Sequence, residues 1–323
     1  MYLLSMSRLP YSKPALSPTA LLAHVGSRGL TVSDPVAALH ALEYIGYYRL
    51  LSYMRPLQRT DAVTGLRHFT PGTTFGDILT LYDFDRELRL LCLAAVERIE
   101  VALRAAIVSQ VAVPEGPHFY LDPAQFQRLD AFVDFYQTTR REDRHLAVKH
   151  YKKHYGTPEL PPIWAIMEAL TFGALSRLFS GLALRHRKAV ALRFGHDETV
   201  LSSWFRAISL VRNLSAHHSR LWNAPMHVDQ PLAAKKLRSE MTPTDTLYAR
   251  FVVLGALLQL IDPATDWKRR LIALIQRYPT VPLSQMGIPA GWDVCAFWLP
   301  HSLVAAPDRP SSMIASVGHS VAR

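Results

Sequence analysis

The stretch that decides the fold is residues 75–107, which read FGDILTLYDFDRELRLLCLAAVERIEVALRAAI. Small and apolar residues recur in it at steps of three and four, as they do on the buried face of an α-helix. They are Ile78, Leu81, Leu88, Leu91, Ala95, Ile99, Ala102 and Ala106. The spacing predicts one long helix over 76–112, which ends where Pro114 and Pro117 break the chain.

Helical spacing continues on both sides of this stretch, and no segment shows the sustained alternation of a β-strand. Ser33-Asp34-Pro35 predicts a helix start, with a capping side chain and a proline in the first turn. Thr64-Gly65 and Pro71-Gly72 predict a short hairpin or loop within 58–74. Further helices are predicted over 124–155, 163–182, 185–194, 198–216, 243–262 and 264–277. The expected fold class is therefore all-α.

Proline, glycine and charge patterns divide the chain into five expected regions. These are an irregular leader over 1–17, an N-terminal helical region over 18–75, a helical core over 76–230, a C-terminal helical region over 231–302 and a disordered tail over 303–323.

The composition is that of a folded, strongly basic protein. Of its 323 residues 49% are hydrophobic, and 36 Lys and Arg against 26 Asp and Glu give a net charge of +10. Of the 36 basic residues 28 are arginine, whose planar guanidinium binds phosphate bidentately. A GC-rich genome also favours arginine, so this excess alone decides nothing. The charge admits a polyanionic partner, with nucleic acid expected before an anionic membrane.

Three features of the sequence predict the compartment. The N-terminus lacks the apolar core of a secretory signal, and the longest apolar run, near 251–261, is shorter than the roughly 20 residues that span a bilayer. Cys92 and Cys295 lie in apolar stretches, which predicts buried thiols in a reducing compartment. We therefore expect a soluble, cytoplasmic protein that does not bind membranes.

Two groups of charged residues precede the most polar segment of the chain. On the central helix Glu97, Glu100 and Arg104 project within about 60° of one another, either as a solvated face or as a network lining a site. The second group is basic and predicts an RNA-binding surface. It comprises Arg140, Arg141, Arg144, Lys149, Lys152 and Lys153.

Residues 211–223, VRNLSAHHSRLWN, place two arginines, two histidines and two asparagines directly after an apolar helix. Arginine can bind a phosphodiester and stabilise developing charge, and histidine can transfer a proton at neutral pH. With a ribose 2′-hydroxyl as internal nucleophile, these two roles suffice for RNA cleavage without a metal. The sequence has no glycine-rich phosphate loop and no metal-ligand spacing, so we expect neither a cofactor nor a metal site.

The spacing within this segment constrains its geometry. Arg212 and His217 are five residues apart, about 140° around an ideal helix, and cannot converge on one phosphate along a straight helix. Either the helix ends or bends near Ser215, or a second chain supplies the partner. Asn213 and His217 share a face, so Asn213 could orient the imidazole. Arg followed by His at this distance occurs by chance several times in such a chain, so the short motif formed by residues 212–218 is unspecific on its own.

The segment RNLSAHHSRLWN resembles the signature of the Abi-like family, the AbiD/AbiF type of bacterial abortive-infection proteins, within the HEPN superfamily. Four more blocks resemble that family in the same order. They are SRGLTVSDPVAALHALEYIGYYRLLSYMRPLQ, the 75–107 stretch, LPPIWAIMEALTFGALSRLFSGL and MGIPAGWDVCAFW. Five blocks in order over most of the chain are far more specific than the motif alone.

The resemblance implies an all-α HEPN core with added helices and a role in phage defence. It implies Arg212 and His217 as the catalytic pair, Asn213 as the accompanying polar residue and His218 as an alternative base. Glu97, Glu100 and Arg104 would form a supporting shell, and Arg220 joins the expected RNA contacts. One motif per chain implies a homodimer with a composite site, and a bound small non-coding RNA is also compatible with the family.

The sequence therefore leaves three alternative functions. The first is a metal-independent HEPN ribonuclease. The second is a non-catalytic module that holds a structured small RNA through the 140–153 surface. In the third, a structural or nucleotide-modifying protein, the motif only braces the helix end, with His218 and Trp222 buried and satisfied.

Overall fold

The computed structural model describes residues 11–299 except residues 13 and 143. Most of the predicted leader and the whole predicted tail over 303–323 lie outside these residues. Within the described part the regular structure is helical apart from one two-stranded hairpin, which confirms the all-α prediction.

Fourteen α-helices, numbered here in chain order, are present in the described residues. They are α1 Pro18–Gly26, α2 Pro35–Tyr44, α3 Tyr47–Met54, α4 Phe75–Ile107, α5 Val113–Glu115, α6 Leu129–Arg140, α7 Leu146–His154, α8 Ile163–Ala169, α9 Phe172–Gly181, α10 Leu184–Arg193, α11 Glu198–Ala216, α12 Arg238–Met241, α13 Leu247–Ile261 and α14 Trp267–Arg277. Strands β1 Gln58–Thr60 and β2 Arg67–Phe69 form the hairpin, with Gln58 opposite Phe69.

The long helix α4 has the position that the apolar spacing predicts. Thr74 caps its N-terminus, because the Thr74 hydroxyl accepts from the Asp77 N–H and the Asp77 carboxylate accepts from the Thr74 N–H. At its other end α4 continues as a turn of π-helix over Val108–Ala112, and Gly116 then ends the helical segment with φ +98°. A helix of this length spans about 50 Å, enough to cross a domain.

Side-chain caps explain which of the other predicted helix ends are confirmed and which are wrong. Asp34 accepts from the Ala37 N–H at the start of α2, as predicted. The predicted helix over 124–155 is instead two helices, since His145 accepts from the Ala147 N–H and starts α7 anew. The predicted helix over 163–182 is also divided, because Thr171 caps α9 after an extended Leu170.

The core is built around α4, which packs against α3, α9, α11, α13 and α14. The apolar helix α13 is buried on nearly all sides, so the C-terminal helices share one hydrophobic cluster with the central ones. Cys92 is buried in that core as predicted, whereas Cys295 is exposed. The prediction for Cys295 was wrong because its stretch, near a 3₁₀ turn, turns Trp292 and Trp298 inward instead. In the described residues none of the helices has the length and apolar content needed to cross a bilayer.

Candidate functional site

The polar segment singled out in the sequence begins in the last turn of α11. Asp197 caps the start of this helix by accepting from the Thr199 N–H at 2.8 Å. The helix ends at Ala216, where the Ser219 N–H donates to the Leu214 carbonyl and the His218 N–H donates to the Ser215 carbonyl. These two bonds form a Schellman motif with His218 in the left-handed conformation at φ +57°. The helix therefore ends within one residue of Ser215, the first of the two predicted alternatives.

The four residues proposed for chemistry all reach solvent at this helix end. Asn213, His217 and His218 are exposed, and Arg212 is half-buried. The Arg212 guanidinium donates to the neutral Asn213 side-chain oxygen at 3.3 Å, and no ion pair to Arg212 occurs among the described residues. The neutral side chain of Asn213 therefore leaves the guanidinium charge of Arg212 uncompensated among the described residues. Asn213 contacts Arg212 through its side chain and His217 only through its backbone carbonyl, at 3.0 Å.

The chain after the motif turns inward. Leu221 and Trp222 are buried, and the Trp222 indole N–H donates to the Pro282 carbonyl at 3.2 Å. This matches one half of the bracing hypothesis, which expects Trp222 to be buried and satisfied. The other half is wrong, because His218 is exposed. Trp222 therefore braces the chain after the motif, and His218 is free to face the solvent.

Asp85 of α4 anchors this inward turn and was missed in the sequence. Its fully buried carboxylate accepts from the backbone N–H groups of Trp222 at 2.6 Å and Leu221 at 3.0 Å. It also accepts from the Tyr53 hydroxyl at 2.7 Å and forms an ion pair with Arg89. Burial raises the pKa of Asp85, and these donors act in the opposite direction. A signal was present, because Asp85 interrupts the apolar face of α4 between Leu81 and Leu88.

Arg220 is part of the same anchor. Its guanidinium donates to the backbone carbonyl of Ser52 and, at 2.9 Å, to that of Asn223. Its charged group also lies 5.9 Å from the Trp222 ring centre. Burial lowers the pKa of Arg220, while the nearby Asp85 raises it. The structure therefore places this expected RNA contact in a half-buried position that joins α3 to the motif.

A second buried arginine holds the segment that follows. Arg250 of α13 is fully buried and donates to the carbonyls of Met226 at 3.0 Å, Val228 at 2.9 Å and Asp229 at 3.3 Å. It also donates to the Thr246 carbonyl at 2.9 Å. Burial lowers the pKa of Arg250 to about 10. We refer to this set of contacts as the Arg250 clamp.

The expected supporting shell on α4 lies elsewhere along the helix. Arg104 pairs with Glu100 at 2.6 Å and Glu168 at 3.0 Å, and it donates to the Leu170 carbonyl at 3.3 Å. Glu97 is exposed. Arg104 is 19 residues from Asp85, about 28 Å along the helix axis. Arg104, Glu100 and Glu168 form a network that ties α4 to α8, and the described contacts do not join it to the motif.

The predicted basic surface is present on α7 and the turn before it. Its exposed members are Arg141, Arg144, Lys149, Lys152 and Lys153. Arg140 differs, because it pairs with Glu159 at 3.1 Å and lies over the Tyr136 ring. Val148 and Tyr151 form the buried side of α7, so the lysines face outward by helical periodicity.

An open groove of about 760 Å³ lies beside the motif, between α3 and α11. We call it the motif groove. Tyr48, Leu51 and Arg55 line one side, and Leu210 and Leu214 line the other. His217 follows Leu210 by seven residues and so continues the same face of α11. Within the described residues no cluster of three or more His, Cys, Asp or Glu side chains could hold a metal ion.

Comparison with curated proteins and with solved structures gave no match. Comparison with protein families gave a match to the Abi-like protein family over residues 40–223. The matched region contains α4, Asp85 and the whole motif, and it covers more than half of the chain. The chain therefore belongs to the Abi-like protein family.

Proposed function

We propose that this protein is a HEPN-type endoribonuclease of the AbiD/AbiF kind, which cleaves RNA without a metal ion. Membership of the Abi-like family suggests that the cleavage serves abortive infection, a bacterial defence against phage. The observation that carries the proposal is the end of α11, where Arg212, Asn213 and His217 reach solvent on a rigid scaffold. Asp85, Trp222 and Arg220 do the structural bracing, so the motif residues are not needed for it.

The proposed reaction uses the RNA itself as the nucleophile source. His217 accepts the proton of a ribose 2′-hydroxyl, whose oxygen attacks the adjacent phosphorus. Arg212 stabilises the negative charge that develops on the phosphoryl oxygens. The bond to the 5′-oxygen breaks, that oxygen takes up a proton from water, and protonated His217 returns its proton to the solvent. The products are a 2′,3′-cyclic phosphate and a 5′-hydroxyl end. Asn213 holds the Arg212 guanidinium through the bond already described, which makes it a positioning residue.

A homodimer is part of the proposal because one chain does not align the pair. On an ideal helix Arg212 and His217 project about 140° apart, and α11 ends only one residue before His217. The motif groove exposes an apolar face of α11 and α3, lined by half-exposed Leu210 and Leu214 and by Tyr48, which is 80% exposed. Two copies meeting across this face would bury apolar surface on the His217 side of α11, and the second chain would supply the partner for a composite site.

The test is cleavage of a labelled single-stranded RNA by the purified full chain in EDTA. Arg212→Ala and His217→Ala should each abolish cleavage while leaving the thermal unfolding midpoint unchanged. Arg206→Ala is the matched control, since Arg206 is an exposed arginine on the same helix and its Asp229 contact is loose, at 3.9 Å. Product ends should be 2′,3′-cyclic phosphates. Cleavage that survives both motif substitutions would overturn the proposal.

The second candidate function is a non-catalytic protein that holds a small non-coding RNA. The exposed basic residues of α7 favour it, because they form a surface suited to phosphates. Nucleic acid extracted from the protein purified from its bacterial host would identify a discrete bound RNA. Reversing the charges of Arg141, Lys149 and Lys153 should release that RNA. Release by these changes, together with RNA that stays intact in the wild type, would favour this function over the nuclease.

A further inference from the structure

A second cleft, with a basic lining, lies along α3 next to the motif groove. It is enclosed by the end of α1, by α3 and by the β1–β2 hairpin, and its volume is about 470 Å³. We call it the hairpin pocket. The residues that give it its chemistry are His24, Arg28, Tyr47, Arg55 and Arg67. Clefts of roughly 300–1,000 Å³ are the usual size for small organic ligands.

The charged residues that line the pocket are all basic. Arg28, Arg55 and Arg67 line it together with His24, and none of the residues that line it carries a carboxylate. In the described part of the chain none of these three arginines forms an ion pair. Three like charges around one cleft repel one another unless an anion lies between them. The pocket therefore favours a ligand with negative charge.

Backbone contacts hold the walls of the pocket in place. The Phe69 N–H donates to the Arg28 carbonyl at 2.8 Å, and the Arg28 guanidinium donates to the Arg67 carbonyl at 3.1 Å. The Thr70 N–H donates to the Leu57 carbonyl at 2.9 Å. These bonds tie the hairpin to the turn after α1 and to the end of α3. A cleft formed in advance loses little conformational entropy when a ligand binds.

Tyr47 adds an aromatic surface to the same cleft. Its half-buried ring stands edge-on to His24 with 6.5 Å between the ring centres. Burial raises the pKa of Tyr47, and the charges of Arg28 and Arg55 oppose that rise, so both guanidinium groups act on its hydroxyl. An aromatic ring beside arginines is the arrangement on which nucleobases stack in single-stranded nucleic-acid sites.

The hairpin pocket adjoins the motif groove. Leu51 of α3 and Arg55, just after that helix, line both cavities and form a shared ridge between them. Beyond the ridge a strand would follow Arg220 and Ala224, which also line the groove, and leave Leu210 and Leu214 to the proposed dimer contact. A free nucleotide would occupy one cavity, whereas a nucleic-acid strand would occupy both.

We propose that the hairpin pocket binds one nucleotide of a single-stranded RNA whose neighbouring nucleotides cross Arg55 towards the motif. Arg28, Arg55 and Arg67 bind its phosphates, and its base stacks on Tyr47. This inference rests on the proposed function, since it supplies that reaction with a subsite for substrate outside the scissile phosphate. It would also make the preferred substrate an unpaired strand.

The test measures binding separately from cleavage. The full chain carrying Arg212→Ala and His217→Ala is titrated with a fluorescein-labelled oligouridylate about ten nucleotides long, and anisotropy is recorded at several salt concentrations. Adding Arg55→Gln and Arg67→Gln should raise Kd at least tenfold and lower the slope of log Kd against log salt by about 1.4, the value for two phosphate contacts. Arg193→Gln with Arg238→Gln is the control of equal charge, because both arginines are exposed and lie outside the two cavities.

Two further measurements identify the ligand and its position. A 4-thiouridine photocrosslink should map to Tyr47 or its neighbours and should be lost with the Arg55/Arg67 changes but not with the control pair. Uridine monophosphate should compete poorly, because it cannot span the ridge. Equal loss of binding in the control pair, or competition by the monophosphate as strong as by the oligomer, would overturn the proposal. If the wild type cleaves RNA but the Arg55 and Arg67 changes leave Kd unchanged, the subsite is refuted and the nuclease is not. If these changes weaken binding but the wild type does not cleave RNA, the nuclease is refuted and the subsite is not.

Discussion

The side-chain carboxylate of Asp85 accepts a hydrogen bond of 2.6 Å from the backbone N–H of Trp222, across 137 residues of sequence. This contact ties the central helix to the chain that leaves the motif. Because the same carboxylate also binds Leu221, Tyr53 and Arg89, three parts of the molecule, α3, α4 and the chain after the motif, meet at one buried charge.

Asp85→Asn should be among the most damaging single substitutions in the chain. The amide cannot accept all of these bonds and leaves Arg89 buried without its counter-ion, which typically costs about 3–5 kcal/mol. Urea unfolding measures the loss directly. Asp83→Asn, two residues earlier and exposed, should change the unfolding free energy by less than about 0.5 kcal/mol. Similar losses in both variants would mean that Asp85 does not anchor the fold.

His218→Gly should stabilise the protein. His218 has φ +57°, a conformation that costs a residue with a Cβ about 1 kcal/mol relative to glycine. The variant should therefore gain on the order of 1 kcal/mol in unfolding free energy while keeping RNA cleavage, since His217 is the proposed base. His218→Ala removes the imidazole but retains the Cβ, so it should bring no such gain. Loss of cleavage in both variants would transfer the role of base to His218.

Leu214→Glu should separate the proposed dimer. A carboxylate at this half-exposed position would lie within the apolar part of the α11 face, where two copies are expected to meet. Sedimentation should show a dimer for the wild type and a folded monomer without cleavage activity for the variant. Leu192→Glu changes an 80% exposed leucine of α10 and should leave the dimer intact. An active monomer would contradict the composite site.

Lys268 should make stability depend on pH in alkaline solution. Its side chain is buried, its ammonium donates to the Phe297 carbonyl at 2.7 Å, and burial lowers its pKa to about 8 from an ordinary value of 10.5. Between these values the unfolded chain binds a proton that the folded chain does not, so stability rises with pH. Below pH 8 both states carry the charge, and the contribution is constant.

The measurement compares wild type with Lys268→Met by urea unfolding from about pH 7 to about pH 10. Above pH 8 the unfolding free energy of the wild type should rise relative to that of the variant by at most about 1.4 kcal/mol per pH unit. The difference between the two proteins cancels the contribution of the buried tyrosines. Their raised pKa values make stability fall with pH above pH 10. Lys188→Met, at an exposed lysine of α10, should run parallel to the wild type. A constant difference between wild type and Lys268→Met would show that Lys268 keeps an ordinary pKa.

The sequence predicted those parts of the fold that depend on local interactions. The spacing of Ile78, Leu81 and Leu88 predicted α4, and Asp34 marked the start of α2. The boundaries inside 124–155 and 163–182 were missed because the caps that set them, His145 and Thr171, compete with a helix that the apolar pattern also allows.

The candidate site was predictable in its exposed part only. Arg212, Asn213 and His217 are neighbours in sequence, so their types and spacing could be interpreted directly. Asp85 is marked in the sequence by its place on the apolar face of α4, but its partner segment lies 136 residues away, and such a pairing leaves no periodic pattern. For the same reason the hairpin pocket escaped notice, since Arg28 and Arg67 meet only when the hairpin folds back on α1.

The Arg250 clamp has a consequence for how this protein can be divided. The region matched by the family ends at residue 223, and the carbonyls that Arg250 binds begin three residues later, at Met226. The helix that carries Arg250 is itself buried against α4 and α11. A fragment that ends with the family region would expose the apolar flanks of α4 and release the chain behind the motif. The stretch that relatives share is therefore smaller than the unit that folds, and a minimal working fragment must extend through α13.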